Sequence, residues 1–160
     1  MPMQKLTLSF VNTNGNIPVV RIPLTSGKSI CAIIDTGSDS TLYDAAAKEN
    51  YPEIVLKSKS MGTQKIIGVN KESEMEVVMS GLKLEVQRDA EESLTVKMAA
   101  VEHKTFCETM KPLIEREGIK ESVPLLIGSD TLIHYNARID MKKRVICLTI
   151  MNPKRKKKAA

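Results

Sequence analysis

Along the chain, apolar and polar positions alternate far more often than they recur at helical spacing. Leu6, Leu8 and Phe10 alternate with Thr7 and Ser9, which predicts a strand with one buried face. Asn12-Thr13-Asn14-Gly15-Asn16 follows, and its Asn-Gly pair predicts a hairpin with Val19–Leu24 as the return strand. Thr25–Ser29 predicts a turn feeding the apolar run Ile30–Ile34, so this part reads as all-β. Asp44–Lys48 predicts at most a short helix, stopped before Pro52. Ile54–Leu56 and Lys65–Val69 read as strand pieces, Gly68–Glu74 as turn material and Met75–Met79 as a resumed strand. Met61–Met79 therefore predicts a hairpin with a polar, mobile tip. Leu82–Val86 and Leu94–Met98 alternate with period two on either side of the charged turn Arg88–Ser93.

One segment carries a helical period. Within Thr105–Glu117, Phe106, Met110, Leu113 and Ile114 fall at i, i+4, i+7 and i+8. Pro112 predicts an interruption, giving either two short helices or one that begins near it, and Gly118 predicts the stop. Val123–Gly128 is a second apolar strand ending on glycine, after which Ser129 or Asp130 can cap a short helix through Tyr135. Ala137–Met141 and Arg144–Leu148 predict a last hairpin across Lys142-Lys143. No internal repeat or domain boundary is visible. The expectation is one domain over residues 1–151 and a basic disordered tail over 152–160.

The chemistry concentrates where Ala32-Ile33-Ile34 delivers Asp35 into Thr36-Gly37-Ser38. A buried strand that ends on a carboxylate is costly unless the acid is hydrogen-bonded or shares a proton, and such acids gather at functional sites. Composition narrows the alternatives. At 160 residues and 42% hydrophobic content, the chain is long enough for a core. Aromatic residues are only 3%, which disfavours stacking platforms for single-stranded nucleic acid. The net charge of +5 equals the five charges of Lys154, Arg155, Lys156, Lys157 and Lys158, so the body is formally neutral. That tail reads as solvated chain, with a nuclear-localisation or nucleic-acid patch as its other reading. Cys31, Cys107 and Cys147 lack metal-ligand spacing and read as small buried hydrophobes in a reducing compartment. His103 and His134 stand alone, so no metal or other cofactor is expected. No signal peptide or membrane-length apolar run is present, which predicts a soluble, cytoplasmic protein.

Ile33-Ile34-Asp35-Thr36-Gly37-Ser38-Asp39-Ser40-Thr41-Leu42 resembles the active-site segment of retropepsin-like aspartic proteases. Three more segments resemble that family in its order: Ile66–Glu72 its glycine-containing flap, Val123–Leu132 its second apolar-apolar-Gly loop and short helix, and Tyr135–Asp140 its closing strand. The resemblance implies a mainly β, closed barrel-like fold with one catalytic acid, Asp35, per chain. Peptide hydrolysis by this chemistry needs two carboxylates, and the chain shows one D-T-G. A homodimer with the site on its twofold axis follows. Two carboxylates in near contact share one proton and titrate as a unit. By resemblance, Thr36 braces the two loops, Gly37 leaves room for substrate backbone, and Ser38 donates to the carboxylate, which predicts an acid-shifted optimum. Asp39, Ile67, Gly68, Leu126 and Gly128 are the implied substrate-binding positions, with Leu126 lining an apolar pocket that prefers apolar residues at the cut. Ser129 stands where retroviral members commonly carry Arg, which leaves Asp39 without that support. The insertion at Thr105–Glu117 can cover substrate, extend the dimer or pack on the body.

Two other readings compete. Asp35–Thr41 also fits the loose phosphate-loop pattern of actin-like ATPases and sugar kinases, but those need two domains of alternating strands and helices. A catalytically silent module for dimerisation or peptide binding would keep the fold without the chemistry.

Overall fold

Alternation along the chain becomes strands wherever one face is buried. The computed structural model describes residues 3–68 and 71–151, and the side chains of these outside 56–76. The described strands are β1 (Met3–Ser9), β2 (Val19–Pro23), β3 (Ser29–Ile34), β4 (Leu42–Asp44), β5 (Val55–Gly68), β6 (Lys71–Gln87), β7 (Ser93–His103), β8 (Leu125–Ile127), β9 (Arg138–Asp140) and β10 (Val145–Met151). Three short helices interrupt them: α1 (Ala47–Asn50), α2 (Phe106–Arg116) and α3 (Ser129–His134). The predominance of β structure is as the sequence predicts.

The strands form two sheets, one in the order β2-β3-β8-β4-β7-β6-β5 and one in the order β1-β10-β9. The larger sheet curls. Just past β2, Leu24 bridges Val86 of β6, and Thr25 N donates to Glu85 O at 3.0 Å. This gives a half-barrel. The closed barrel of the sequence expectation goes further than the sheet does, because a single bridge joins β2 to β6 and β5 continues as an edge.

Two apolar clusters fill the molecule. The larger gathers Leu6 and Leu8 of β1, Ile22, Ile34, Leu84 and Leu125 of the curled sheet, and Ile146, Leu148 and Ile150 of β10. The smaller gathers Val19, Cys31, Ile33, Phe106, Ile114, Ile119, Val123 and Leu126 beneath α2. β3 lies between them. Ile30, Ala32 and Ile34 face the large cluster, while Cys31 and Ile33 face the small one. Its unbroken apolar run is thus a strand buried on both sides. Of the three roles open to the Thr105–Glu117 insertion, packing on the body is the one described.

Several local expectations change. β1 does not form a hairpin with β2. It pairs with β10 from Met3↔Met151 to Ser9↔Val145, and only the Phe10↔Val20 bridge joins it to β2. The Asn-Gly segment instead hooks onto the end of α2, where Asn14 N donates to Glu117 O at 2.8 Å. Helix α2 is continuous through Pro112. Pro112 and Glu108, whose carbonyl loses its partner, are both exposed, so water can satisfy that group. Gly118 ends the helix as predicted, at φ +75°, with Ile119 N donating to Ile114 O at 3.1 Å. α3 starts after Gly128, which takes the N-cap position expected of Ser129 or Asp130, and Asp130 Oδ1 instead accepts from Thr131 N at 2.7 Å inside the first turn.

The strand pieces on either side of residue 70 merge into the long antiparallel pair β5 and β6, with register shifts between Val55/Ser58 and Ser60/Thr63. Val69 and Asn70, at the expected tip, and the tail from Asn152 lie outside the described residues. The last hairpin forms as predicted, with Val145↔Asp140 and Cys147↔Arg138 in register. Among the described residues, no helix is long and apolar enough to cross a membrane.

Candidate active site

Asp35 is placed by three strands. β8 lies between β3, to which it is parallel, and β4, to which it is antiparallel. The loop from Asp35 to Thr41 must therefore step across the end of β8. Asp35 N donates to Ile127 O at 3.0 Å, and Ile34 N donates to Pro18 O at 2.8 Å. These bonds fix the backbone on which the acid stands. The acid is half-buried, while Thr36, Gly37 and Asp39 are exposed.

One carboxylate oxygen is engaged locally: Gly37 N donates to Asp35 Oδ1 at 2.9 Å. A Cβ on Gly37 would lie 3.3 Å from that oxygen, a local reason for glycine besides room for substrate. Among the described residues, Oδ2 accepts no hydrogen bond, which leaves it open to a proton or a water. The Ser38 hydroxyl does not donate to Asp35. It donates to Ser40 O at 2.8 Å, which removes the basis for the acid-shifted optimum expected from it.

Gly128 fills the mouth of the loop. A Cβ there would fall on the Ser40 carbonyl and lie 2.8 Å from Ser38 O, so no other residue fits without moving backbone. Ser129 N donates to Ser38 O at 2.7 Å and ties the start of α3 to the same loop.

The support behind this contact was missed by the sequence reading. Thr41 is fully buried, and its hydroxyl donates to Asp130 Oδ1 at 2.8 Å. Thr41 Oγ1 itself accepts from Gly128 N at 3.2 Å and lies 2.7 Å from Thr131 Oγ1, whose hydroxyl can donate to it. One donor and two acceptor sites are thereby used, the full capacity of a hydroxyl. The available signal was a small hydroxyl residue directly before an apolar strand, but its partners lie about ninety positions away.

Asp44 is a second missed carboxylate. It is buried and accepts from Ala46 N at 2.8 Å and from Cys107 N at 2.7 Å, joining β4 to the first turn of α2.

The remaining predicted positions are more dispersed. Asp39 is exposed, and among the described residues it has no ion-pair partner. Leu126 is buried in the α2-side cluster. Ile67 and Gly68 end β5, paired with Glu72 and Lys71.

The thiols of Cys31 and Cys107 keep their protons at neutral pH. Burial first, and then the Glu121 carboxylate, push Cys31 up to about 12, and burial with Asp44 beside it pushes Cys107 up to about 11. Cys31 Sγ donates to Glu121 Oε2 at 3.0 Å, and that bond together with Arg21 holds Glu121 below the usual carboxylate range. His103 Nδ1 accepts from Thr105 N at 3.1 Å. Among the described residues, no three His, Cys, Asp or Glu side chains are grouped to hold a metal.

No family model matches the chain, and no curated protein matches it. It is similar to solved structures of retropepsin-like proteins. One is the retroviral protease-like domain of Ddi1 from Leishmania major, at 13% identity and a TM-score of 0.46, covering 89% of this chain and 99% of that one. Another is a retropepsin-like aspartic protease from Rickettsia conorii, at 12% identity and a TM-score of 0.44, covering 92% of each chain.

Proposed function

We propose that the chain is an aspartic endopeptidase that completes its site by pairing with a second copy. The observation that carries this reading is the setting of Asp35. Its backbone is pinned to β8, one oxygen is held by the Gly37 amide, and the other is open beside an exposed loop. A lone carboxylate in that position can take a proton from water but cannot also protonate the scissile carbonyl. Two such groups sharing one proton supply both the base and the acid. The exposed Thr36-Gly37 turn is the surface through which two loops would meet. In this reading the β5–β6 ribbon acts as a flap that closes over an extended peptide and excludes water. Apolar residues are preferred at the cut.

The test is cleavage of a peptide library by the parent chain and by Asp35→Asn, with mass in solution measured on the same samples. Parent activity that is inhibited by pepstatin and lost in Asp35→Asn supports the mechanism. Activity that survives the substitution removes Asp35 from it. An active species of single-chain mass removes the shared dyad.

A further inference from the structure

β1 is the edge strand of its sheet, in the order β1-β10-β9. Phe10 N donates to Arg144 O at 2.9 Å, while Thr149 N donates to Tyr135 O at 2.8 Å, away from its opposite residue Lys5. Alternation from these bonds turns the backbone groups of Leu6 and Leu8 toward β10 and those of Lys5 and Thr7 away from it. β2 does not cover that side. It meets the chain at the Phe10↔Val20 bridge and pairs no further along β1. Carrying the same register on would set Thr7 opposite Pro23, which has no N–H to offer the Thr7 carbonyl.

A hollow of 290 Å³ opens along this edge, bordered by Leu6–Val11 and by Arg21, Pro23, Gln87 and Arg88. Phe10, Val11 and Arg21 also border a second hollow of 360 Å³, which reaches Lys120 and Glu121. The charges lining the two are Arg21, Arg88 and Lys120 against Glu121, a positive excess on a formally neutral body. Arg21 pairs with Glu121 and Arg88 with Glu92, but these four side chains are between 36% and 46% exposed. Water screens such pairs, so either arginine can turn to another anion at little cost. Among the described ion pairs, none involves Lys120.

We infer that the free edge of β1 takes up an extended acidic segment of another protein as an added strand. The outward groups of Lys5 and Thr7 repeat at strand spacing, which a polypeptide backbone matches along its length. Arg21, Arg88 and Lys120 select acidic side chains on that segment. Neither hollow is bordered by a residue of the Asp35–Thr41 loop, and the inference does not depend on the chemistry proposed for Asp35.

The probe is a fluorescent, end-capped peptide of alternating Glu and Thr, titrated at low salt with the full chain and followed by anisotropy. The full Asp35→Asn chain is titrated in parallel, so that binding is read apart from cleavage. Both chains bind the probe, and neither binds the matching Lys–Thr peptide. N-methylation of alternate probe residues abolishes binding in one of its two phases, the one that faces β1. Thr7→Pro removes one outward N–H at an edge, where proline is tolerated, and weakens binding by at least about tenfold. The exposed pair Arg88→Glu and Lys120→Glu weakens it similarly, by about tenfold, with thermal melts showing that each variant is folded. Absence of probe binding overturns the inference, as does binding unchanged in Thr7→Pro. Displacement by oligothymidylate as effective as by unlabelled probe reduces the surface to plain charge and overturns the added strand. Loss of binding in Asp35→Asn places the probe at the candidate active site instead. A mass in solution that falls on Thr7→Pro assigns the edge to a second copy of the chain and also overturns it.

Discussion

Thr41 shows how much a single buried hydroxyl can hold. Thr41→Val keeps the shape but leaves Gly128 N–H without its acceptor and removes one of the bonds to Asp130, which still accepts from Thr41 N and Thr131 N. The expected loss is about 1–3 kcal/mol, measured by denaturant unfolding, with Thr41→Ser close to the parent. Ser38→Ala, by contrast, leaves the pH–rate profile in place, because its hydroxyl is turned to Ser40 O. A shift in that profile would show that Ser38 turns toward Asp35 in solution. Cys31 makes stability depend on alkaline pH. Folded, it keeps its proton up to about 12, whereas the unfolded thiol loses it near 9.0. Its contribution is complete below pH 9 and disappears as pH rises toward 12. Cys31→Ala flattens that part of the stability profile. The D-T-G motif was legible because its chemistry is local. The Thr41 network was not, because it joins residues about ninety positions apart.

Among elements, α2 carries the clearest conflict between local preference and tertiary packing. Phe106 and Ile114 are buried against Cys31 and Ile33, and this outweighs the proline in the seventh helical position. Pro112→Ala should therefore stabilise by about 2 kcal/mol: a helix-interior penalty of about 3 removed, less about 1 from a more flexible unfolded chain. Thermal melts would check this, and destabilisation would mean that the proline ring itself packs. The helix was legible from its apolar spacing, but its continuity was not, since periodicity does not say which side faces water. The Asn-Gly turn failed for a related reason. Its hairpin preference is local, and the backbone bond from Asn14 to Glu117 is a competing partner that only the fold supplies.

At the scale of the molecule, the proposed pairing through the Asp35 loop predicts that activity per chain rises with concentration until dimers saturate. Sedimentation over the same range would check it, and a constant specific activity would count against a shared site. The β class and the order of the main segments were legible, since alternation and turns record them. The degree of curl was not, because it depends on one bridge between Leu24 and Val86. The pairing of β3 with β8 has a consequence for how the protein is made. Asp35 leaves the ribosome long before Ile127, the residue whose carbonyl anchors it. A nascent chain halted before Leu125 holds the acid but not its mounting, so the setting of Asp35 is completed only late in synthesis.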